Sequence, residues 1–299
     1  MIRRLADAAY TNAYFLLTLV SLFWAGNQVM GRAAAGEVPP ITLGCLRWIM
    51  ATCLILPFAW NAVKADWPVI RANIWLLSFL GIIGGGAINT FSYIGLNYTT
   101  ATNALILNSA APIFIVMFCY LIFGDRITVR QLCGIMVSIA GVLIVVLKGD
   151  LSALAHMTLN RGDMLVLLGM ACWGVYTTFL RKRPAISPLS FAASTFAAAA
   201  IVNIPLALIE AAVGYQPRAT WLTAGAIAYV GIFPSVIAYL FYNRGVELIG
   251  GNRAGIFTHL VPVFGAVLAF AFLGETPGLY HAAGFAMILA GVWLAARAP

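Results

Sequence analysis

Charge is what this chain has least of. Only 9% of its 299 residues are Asp, Glu, Lys or Arg, against roughly 25% in a soluble domain. From Ala72 to Gly124 there is none at all. A water-facing surface cannot be made from such a run, so a soluble fold is excluded and an integral membrane protein is expected. The groups of hydrolytic catalysis are missing too. All nine carboxylates (Asp7, Glu37, Asp66, Asp125, Asp150, Asp163, Glu210, Glu247, Glu275) fall in loops or at helix ends. There is no HExxH, no GxSxG and no embedded acid pair, which argues against an intramembrane enzyme on lipid substrates. Without GxxxxGK[ST], ATP does not drive the protein directly. The five cysteines (Cys45, Cys53, Cys119, Cys133, Cys172) are odd in number, lie in apolar runs and lack metal-ligand spacing. They read as small buried hydrophobes, and neither a metal nor a cofactor is expected.

Hydrophobic residues make up 63% of the chain. A membrane span needs about 20 mostly apolar residues, and ten segments qualify: 13–32, 41–60, 73–96, 100–122, 128–148, 162–180, 187–211, 219–244, 252–273 and 278–297. The connections are short and carry Pro, Gly and charge ("GEVPP", "GDRIT", "RKRPAIS"). The expected fold class is an all-α integral membrane bundle. Arg3 and Arg4 before an apolar run, with "AAAG" at Ala33 to Gly36, resemble a cleaved signal peptide. The first run has a counterpart later in the chain, so it is expected to stay as a span. Basic residues orient the bundle. With the N-terminus cytoplasmic, that side holds Arg3, Arg4, Lys64, Arg71, Arg126, Arg130, Arg181, Lys182, Arg183, Arg244, Arg253 and Arg297, twelve in all. The other side holds four, Arg32, Lys148, Arg161 and Arg218, and both termini are therefore expected inside. The net charge of +8 is scattered singly between apolar runs, which suits membrane orientation better than a nucleic-acid partner.

Residues recur at a fixed distance. Pro112 and Pro262, Gly124 and Gly274, Gly134 and Gly284, Gly141 and Gly291, and Gly95 and Gly245 are each separated by 150; Trp24 and Trp173 by 149; Pro57 and Pro205 by 148. The chain is expected to be a duplication of a five-helix unit: 1–148, a linker at 149–161, and 162–299. Five is odd, so the second unit enters the membrane inverted. Inverted repeats are a recurrent design of secondary transporters, with the solute site at midplane between the repeats. Both units are in one chain, so a monomer suffices.

Polar residues inside the spans mark candidate positions. Ser21, Trp24, Asn27 and Gln28 share one face of the first span; Trp173, Tyr176 and Thr177 lie on the sixth; Asn89, Tyr93 and Asn97 on the third; Tyr239, Tyr242 and Asn243 on the eighth. Pro112 and Pro262 each leave a carbonyl without its helical donor, at Asn108 and Thr258. Such carbonyls are tolerated where protein or a water-filled cavity satisfies them, so both kinks are expected to face a shared cavity. Helix-to-helix hydrogen bonding is the other account of these residues. His259 is the one histidine well inside a span, either a ligand donor and proton site or a satisfied core histidine. Arg47 either snorkels or meets a carboxylate. Gly85, in "LGIIGGGAI", is a candidate hinge as well as a small-residue contact.

"YIGLNYTTATNALILNSAAPIFIVMFCYLIFGDRITVRQLCGIMVSIAGVLIVVL" and "AGIFTHLVPVFGAVLAFAFLGETPGLYHAAGFAMILAGVWLA" resemble the two units of the EamA-type drug/metabolite transporters, and within them the YddG-type exporters of aromatic amino acids and other metabolites. The resemblance covers nearly the whole chain. It implies a ten-helix bacterial inner-membrane carrier exporting small organic solutes. The cavity inventory itself, aromatic rings with amides, hydroxyls and free carbonyls, fits a zwitterion such as an aromatic or hydrophobic amino acid. Without an embedded carboxylate, facilitated diffusion or exchange is expected. Proton-coupled drug efflux is the alternative, with His259 as its proton site. A channel lacks its charge rings and filter loops, and a purely structural subunit would not need these polar residues.

Overall fold

The computed structural model describes residues 9–34, 36–96, 98, 99, 101–150, 152, 160–272, 276 and 278–297, and side chains at 32, 93, 96, 101–103, 269 and 272 fall outside that description. Apolar runs become helices because in lipid each backbone N–H and C=O must bond within its own segment. The uninterrupted ones are α1 (Ala13–Ala33), α2 (Pro40–Ala72), α5 (Val129–Val146), α6 (Arg161–Phe179), α7 (Pro188–Ala212) and α10 (Leu279–Ala296). The other four change geometry part-way. α3 runs Ile74–Gly81, a π-helical Ile82–Ala87, then Ile88–Leu96. α8 repeats this as Trp221–Gly231, a π-helical Ile232–Ile237, then Ala238–Ile249. α4 is split into Ala101–Asn108 and Ala111–Phe123. α9 is Gly251–Gly255, a 3₁₀ segment Ile256–His259, then Leu260–Phe272. These are the ten transmembrane helices of an all-α bundle. No strand occurs among the described residues.

α2 outruns the expected span at 41–60 and continues to Ala72. Hydropathy marks where the apolar run ends, whereas Ala62, Lys64 and Ala65 are good helix formers that carry the helix on, past Pro68, to Ala72. The joints follow cap chemistry. Gly124 closes α4 at φ 72°, a left-handed position that only Gly takes freely, and Thr128 caps α5 in a reciprocal box with Gln131. Asn160 and Asp163 cap α6 in the same way.

Exchanging the halves (α1 with α6, α2 with α7, α3 with α8, α4 with α9, α5 with α10) leaves the packing pattern unchanged. α2 packs on α7 and α5 on α10; α1 packs on α8 and α9, and α6 on α3 and α4. Individual contacts obey the exchange. A Cβ on Gly95 would meet Val166, and one on Gly245 would meet Leu17; one on Gly81 would meet Ala198, and one on Gly231 would meet Met50. The α2–α7 pair also caps itself reciprocally. The Asp66 carboxylate of α2 accepts from Ser187 N at the start of α7, at 2.9 Å. Glu210 of α7 accepts from Ile41 N and Thr42 N at the start of α2, at 3.2 and 2.6 Å. Each carboxylate sits at a positive helix end.

α5 and α10 touch backbone to backbone. A Cβ on Gly134 would lie 2.7 Å from the Gly291 carbonyl, and one on Gly141 would lie 2.7 Å from that of Gly284. In lipid such close approach by small residues is the main source of helix association. Gly134→Ala is therefore expected to lose about 1–3 kcal/mol by overpacking, read as a lower melting temperature in detergent. Gly265→Ala, with nothing within 4 Å of its Cβ, is expected to melt like the parent.

Of the cysteines, Cys45, Cys119 and Cys172 are buried as expected, but Cys53 and Cys133 are exposed on the outside of the bundle. There the acyl chains are the apolar medium, so lipid-facing and core positions read alike in sequence.

Candidate functional site

The two π-helical turns stand at 82–87 and 232–237, 150 residues apart. Their local causes differ. Gly84, Gly85 and Gly86 weaken α3, and Pro234 removes a donor from α8. A π turn leaves carbonyls without helical partners and recurs at functional sites. Here inward-facing side chains collect them. The Gly84 carbonyl accepts from the Tyr239 hydroxyl. The Gly85 carbonyl accepts from Trp48 Nε1 at 3.0 Å and Asn89 Nδ2 at 2.8 Å. The Pro234 carbonyl accepts from Trp24 Nε1 at 3.2 Å and Arg47 Nη2 at 3.3 Å. Ser235 Oγ donates to the Val230 carbonyl at 2.6 Å and accepts from Arg47 Nε at 2.6 Å.

These donors carry an aromatic cluster across the repeat boundary. Trp24 of α1 meets Trp173 of α6 edge-on at 5.1 Å between ring centroids, and Tyr242 of α8 at 5.4 Å. Trp173 stacks on Tyr176 at 5.3 Å and packs on Tyr242 at 4.8 Å. Trp48 meets Tyr239 at 5.1 Å and Phe196 at 5.3 Å. The space left beside Trp48, Gly84, Tyr176, Phe196 and Tyr239 is too small to admit even a water molecule, far below the roughly 300 Å³ of a small-ligand site. The cluster is shut in this conformation.

Towards the end of the bundle where α1 begins, hydrogen bonds back the cluster. Tyr176 donates to Asn243 Oδ1 at 2.8 Å, and the Thr177 and Tyr242 hydroxyls lie 2.9 Å apart. Beyond them Glu247 bridges Arg183 and Arg244 at 2.8 and 3.0 Å, and Asp125 takes both its bonds from Arg181, at 2.9 and 2.8 Å. In the opposite half, Asn27, Asn89 and Asn108 stay partly accessible and Gln28 is exposed. Tyr93 and Asn97 lie outside the described residues and side chains.

The proline breaks differ from expectation in register and in direction. Around Pro112 the chain tightens into three-residue turns, with Ser109 N bonding Ile106 O, Ala110 N bonding Leu107 O and Ile113 N bonding Ala110 O. The carbonyl taken up from outside the helix is thereby that of Ser109, one residue beyond Asn108. It lies 2.9 Å from His259 Nε2, while His259 Nδ1 lies 2.8 Å from Ser138 Oγ. Ser109 and His259 are 150 apart, so the two breaks meet each other. In α9 the Phe257 carbonyl accepts from Ser21 Oγ at 2.7 Å. Pro112 is buried and Pro262 half-buried; the Thr258 hydroxyl donates back to Gly255 O at 2.8 Å, while Asn108 Oδ1 is buried without a partner among the described residues.

Of the positions expected at the site, Trp24, Trp173, Tyr176, Tyr239 and Asn89 come together around the π turns. Asn108 and Thr258 lie at the breaks, and His259, with both nitrogens engaged, lies in the core between α4 and α5. Gly85 sits inside the π turn, where a Cβ would meet Ala199 at 2.7 Å and Trp48 at 3.0 Å. Sequence reasoning passed over Trp48 and Phe196. A tryptophan well inside a span, away from the interfacial belt, was the available signal for Trp48.

The EamA-like transporter family model matches residues 11–147 and again 160–297. The chain belongs to the EamA-like transporter family. An uncharacterized transporter of Archaeoglobus fulgidus is 31% identical over 289 residues, covering 95% of this chain and 97% of the relative. The Bacillus subtilis uncharacterized transporter YyaM is 27% identical over 290 residues, covering 95% and 93%. A probable terminal-alkyne amino-acid exporter of Streptantibioticus cattleyicolor is 27% identical over 227 residues, covering 74% and 73%. A crystal structure with 19% sequence identity superposes with a TM-score of 0.75, covering 95% of this chain and 96% of that one, which speaks for the fold alone. The chain is thus a multi-pass membrane transporter and not an enzyme.

Proposed function

We propose that this EamA-family transporter exports amino acids, aromatic or hydrophobic ones, from the bacterial cytoplasm by alternating access, without a proton gradient. The observation that carries this reading is the Trp24–Trp173–Tyr239–Tyr242 cluster set among backbone carbonyls at two π turns. Rings accept an aromatic or aliphatic side chain and, on their faces, an ammonium. A relative's description as an amino-acid exporter agrees with that chemistry. The repeats, 1–148 and 162–299 with 149–161 between them, are the bodies that rock against one another, with Gly85, Pro112 and Pro262 at the bends. Lys and Arg asymmetry puts both termini in the cytoplasm. Polar side chains avoid lipid, so accessible Asn27, Gln28 and Asn89 line a water-filled entrance. In this reading the protein is open to the outside and shut to the cytoplasm by the Tyr176–Asn243 pair and the Glu247 bridge. One chain holds both halves and works as a monomer.

Radiolabelled counterflow in proteoliposomes tests the proposal. Tryptophan or phenylalanine is expected to accumulate to the same level with and without a pH gradient. Dependence on the gradient would favour proton-coupled efflux instead, and the absence of counterflow with any amino acid would end the amino-acid reading.

A further inference from the structure

Arg47 is a buried cation with no anion beside it among the described residues. It lies within α2, is 4% exposed, and has no carboxylate within 4.0 Å among the described residues. Its partners are neutral: Ser235 Oγ on Nε, the Pro234 carbonyl on Nη2, and the Trp48 ring 5.0 Å from its Cζ. Nη1 makes no hydrogen bond to a described residue. An intramembrane charge is costly and ordinarily paired. A clasp between α2 and the π turn of α8 needs only two neutral donors, which an uncharged amide supplies. The permanent charge is therefore left unexplained by the fold. Its position is informative, because the Pro234 carbonyl that receives Nη2 also receives Trp24 Nε1. The guanidinium thus borders the aromatic cluster, with one fork nitrogen left over.

We propose that Arg47 anchors the carboxylate of the transported solute, which makes the cargo a carboxylate-bearing aromatic or aliphatic compound. The inference rests on reading the central cluster as the solute site. A planar fork that already spends Nε and Nη2 on the protein offers Nη1 to one carboxylate oxygen, a charge-assisted bond stronger than any neutral contact in the cluster. The solute carboxylate would bring Arg47 the counter-charge that no described residue supplies.

The test compares three matched solutes by their effect on the melting temperature of the purified protein: phenylalanine, phenylacetate (carboxylate alone) and phenethylamine (ammonium alone). Phenylalanine and phenylacetate are expected to stabilise the parent, and phenethylamine not. R47Q is expected to bind both carboxylates at least tenfold more weakly, and R47K, which keeps the charge without the fork, to fall between. Stabilisation by phenylacetate but not phenylalanine, lost in R47Q, would keep the Arg47 anchor and end the amino-acid reading. Phenylalanine binding equally well to R47Q and the parent would overturn the anchor and spare that reading. So would phenethylamine stabilising as much as phenylacetate. No response to either carboxylate also overturns it. Should R47Q not fold, the comparison among solutes on the parent and R47K still decides.

Discussion

Trp173→Ala is expected to cut saturable phenylalanine counterflow at least a hundredfold, while Trp221→Ala leaves it at the parental rate. The two tryptophans occupy opposite extremes. Trp173 is buried against Trp24, Tyr176, Tyr239 and Tyr242, with centroids 4.8 to 5.9 Å away. Trp221 is 94% exposed at the start of α8, where an interfacial anchor belongs. Removing a buried Trp side chain typically costs about 3–5 kcal/mol, and a hundredfold is about 2.7 kcal/mol. Part of the loss falls on stability and part on transport, because Trp24 and Trp173 come from different repeats. Their edge-on contact joins the surfaces that must part and rejoin in a cycle. Trp173→Phe keeps an aromatic face and is expected to recover much of the flux. Melting in detergent, measured alongside, separates loss of fold from loss of function. A folded Trp173→Ala protein with parental counterflow would remove the cluster from the transport path.

The ten spans, the duplication and its inversion were legible because each leaves a long-range trace: charge-free runs, and Pro, Gly and Trp recurring near a spacing of 150. The α5–α10 seam shows why that worked. Its glycines were visible as repeat equivalents, 134 with 284 and 141 with 291, and the exchange of halves then pairs 134 with 291 and 141 with 284 across the seam. Tryptophans inside spans pointed to the cluster for the same reason, since Trp away from the interface needs a partner for its Nε1–H. What was not legible is local backbone geometry. "GGGAI" and "PSVIA" agree at no aligned position, yet both become π turns, because triple glycine and a mid-helix proline disturb the ladder by different routes. The direction of the kinks was hidden as well. A proline tells which donor is missing, but the choice between one broken bond and a run of three-residue turns rests on what waits opposite. Here that is His259, whose own position depends on α4, α5 and α9 having already packed.

His259→Ala is expected to be among the most destabilising single changes in the chain, and it decides what this histidine is for. The side chain is 1% exposed and joins three helices: its Nε2 meets the Ser109 carbonyl of the α4 break, and its Nδ1 meets Ser138 Oγ of α5. Alanine strands both partners in an apolar interior, at about 1–3 kcal/mol for each unpaired group, and leaves a ring-sized void besides. His259→Gln, with an amide of similar reach, is expected to hold one of the two bonds and melt between parent and alanine variant. The cost of an orphaned partner is recoverable, so adding Ser138→Ala to His259→Ala is expected to cost less than Ser138→Ala costs alone, a coupling that a double-mutant cycle reads directly. Transport supplies the other half of the argument. A histidine spent on holding two helix breaks together has no nitrogen left for a proton cycle, so parent and His259→Gln should both carry amino acids without regard to a pH gradient. If His259→Gln melts like the parent and loses a gradient-driven flux that the parent possesses, the histidine is the proton site, and the carrier is driven rather than facilitating.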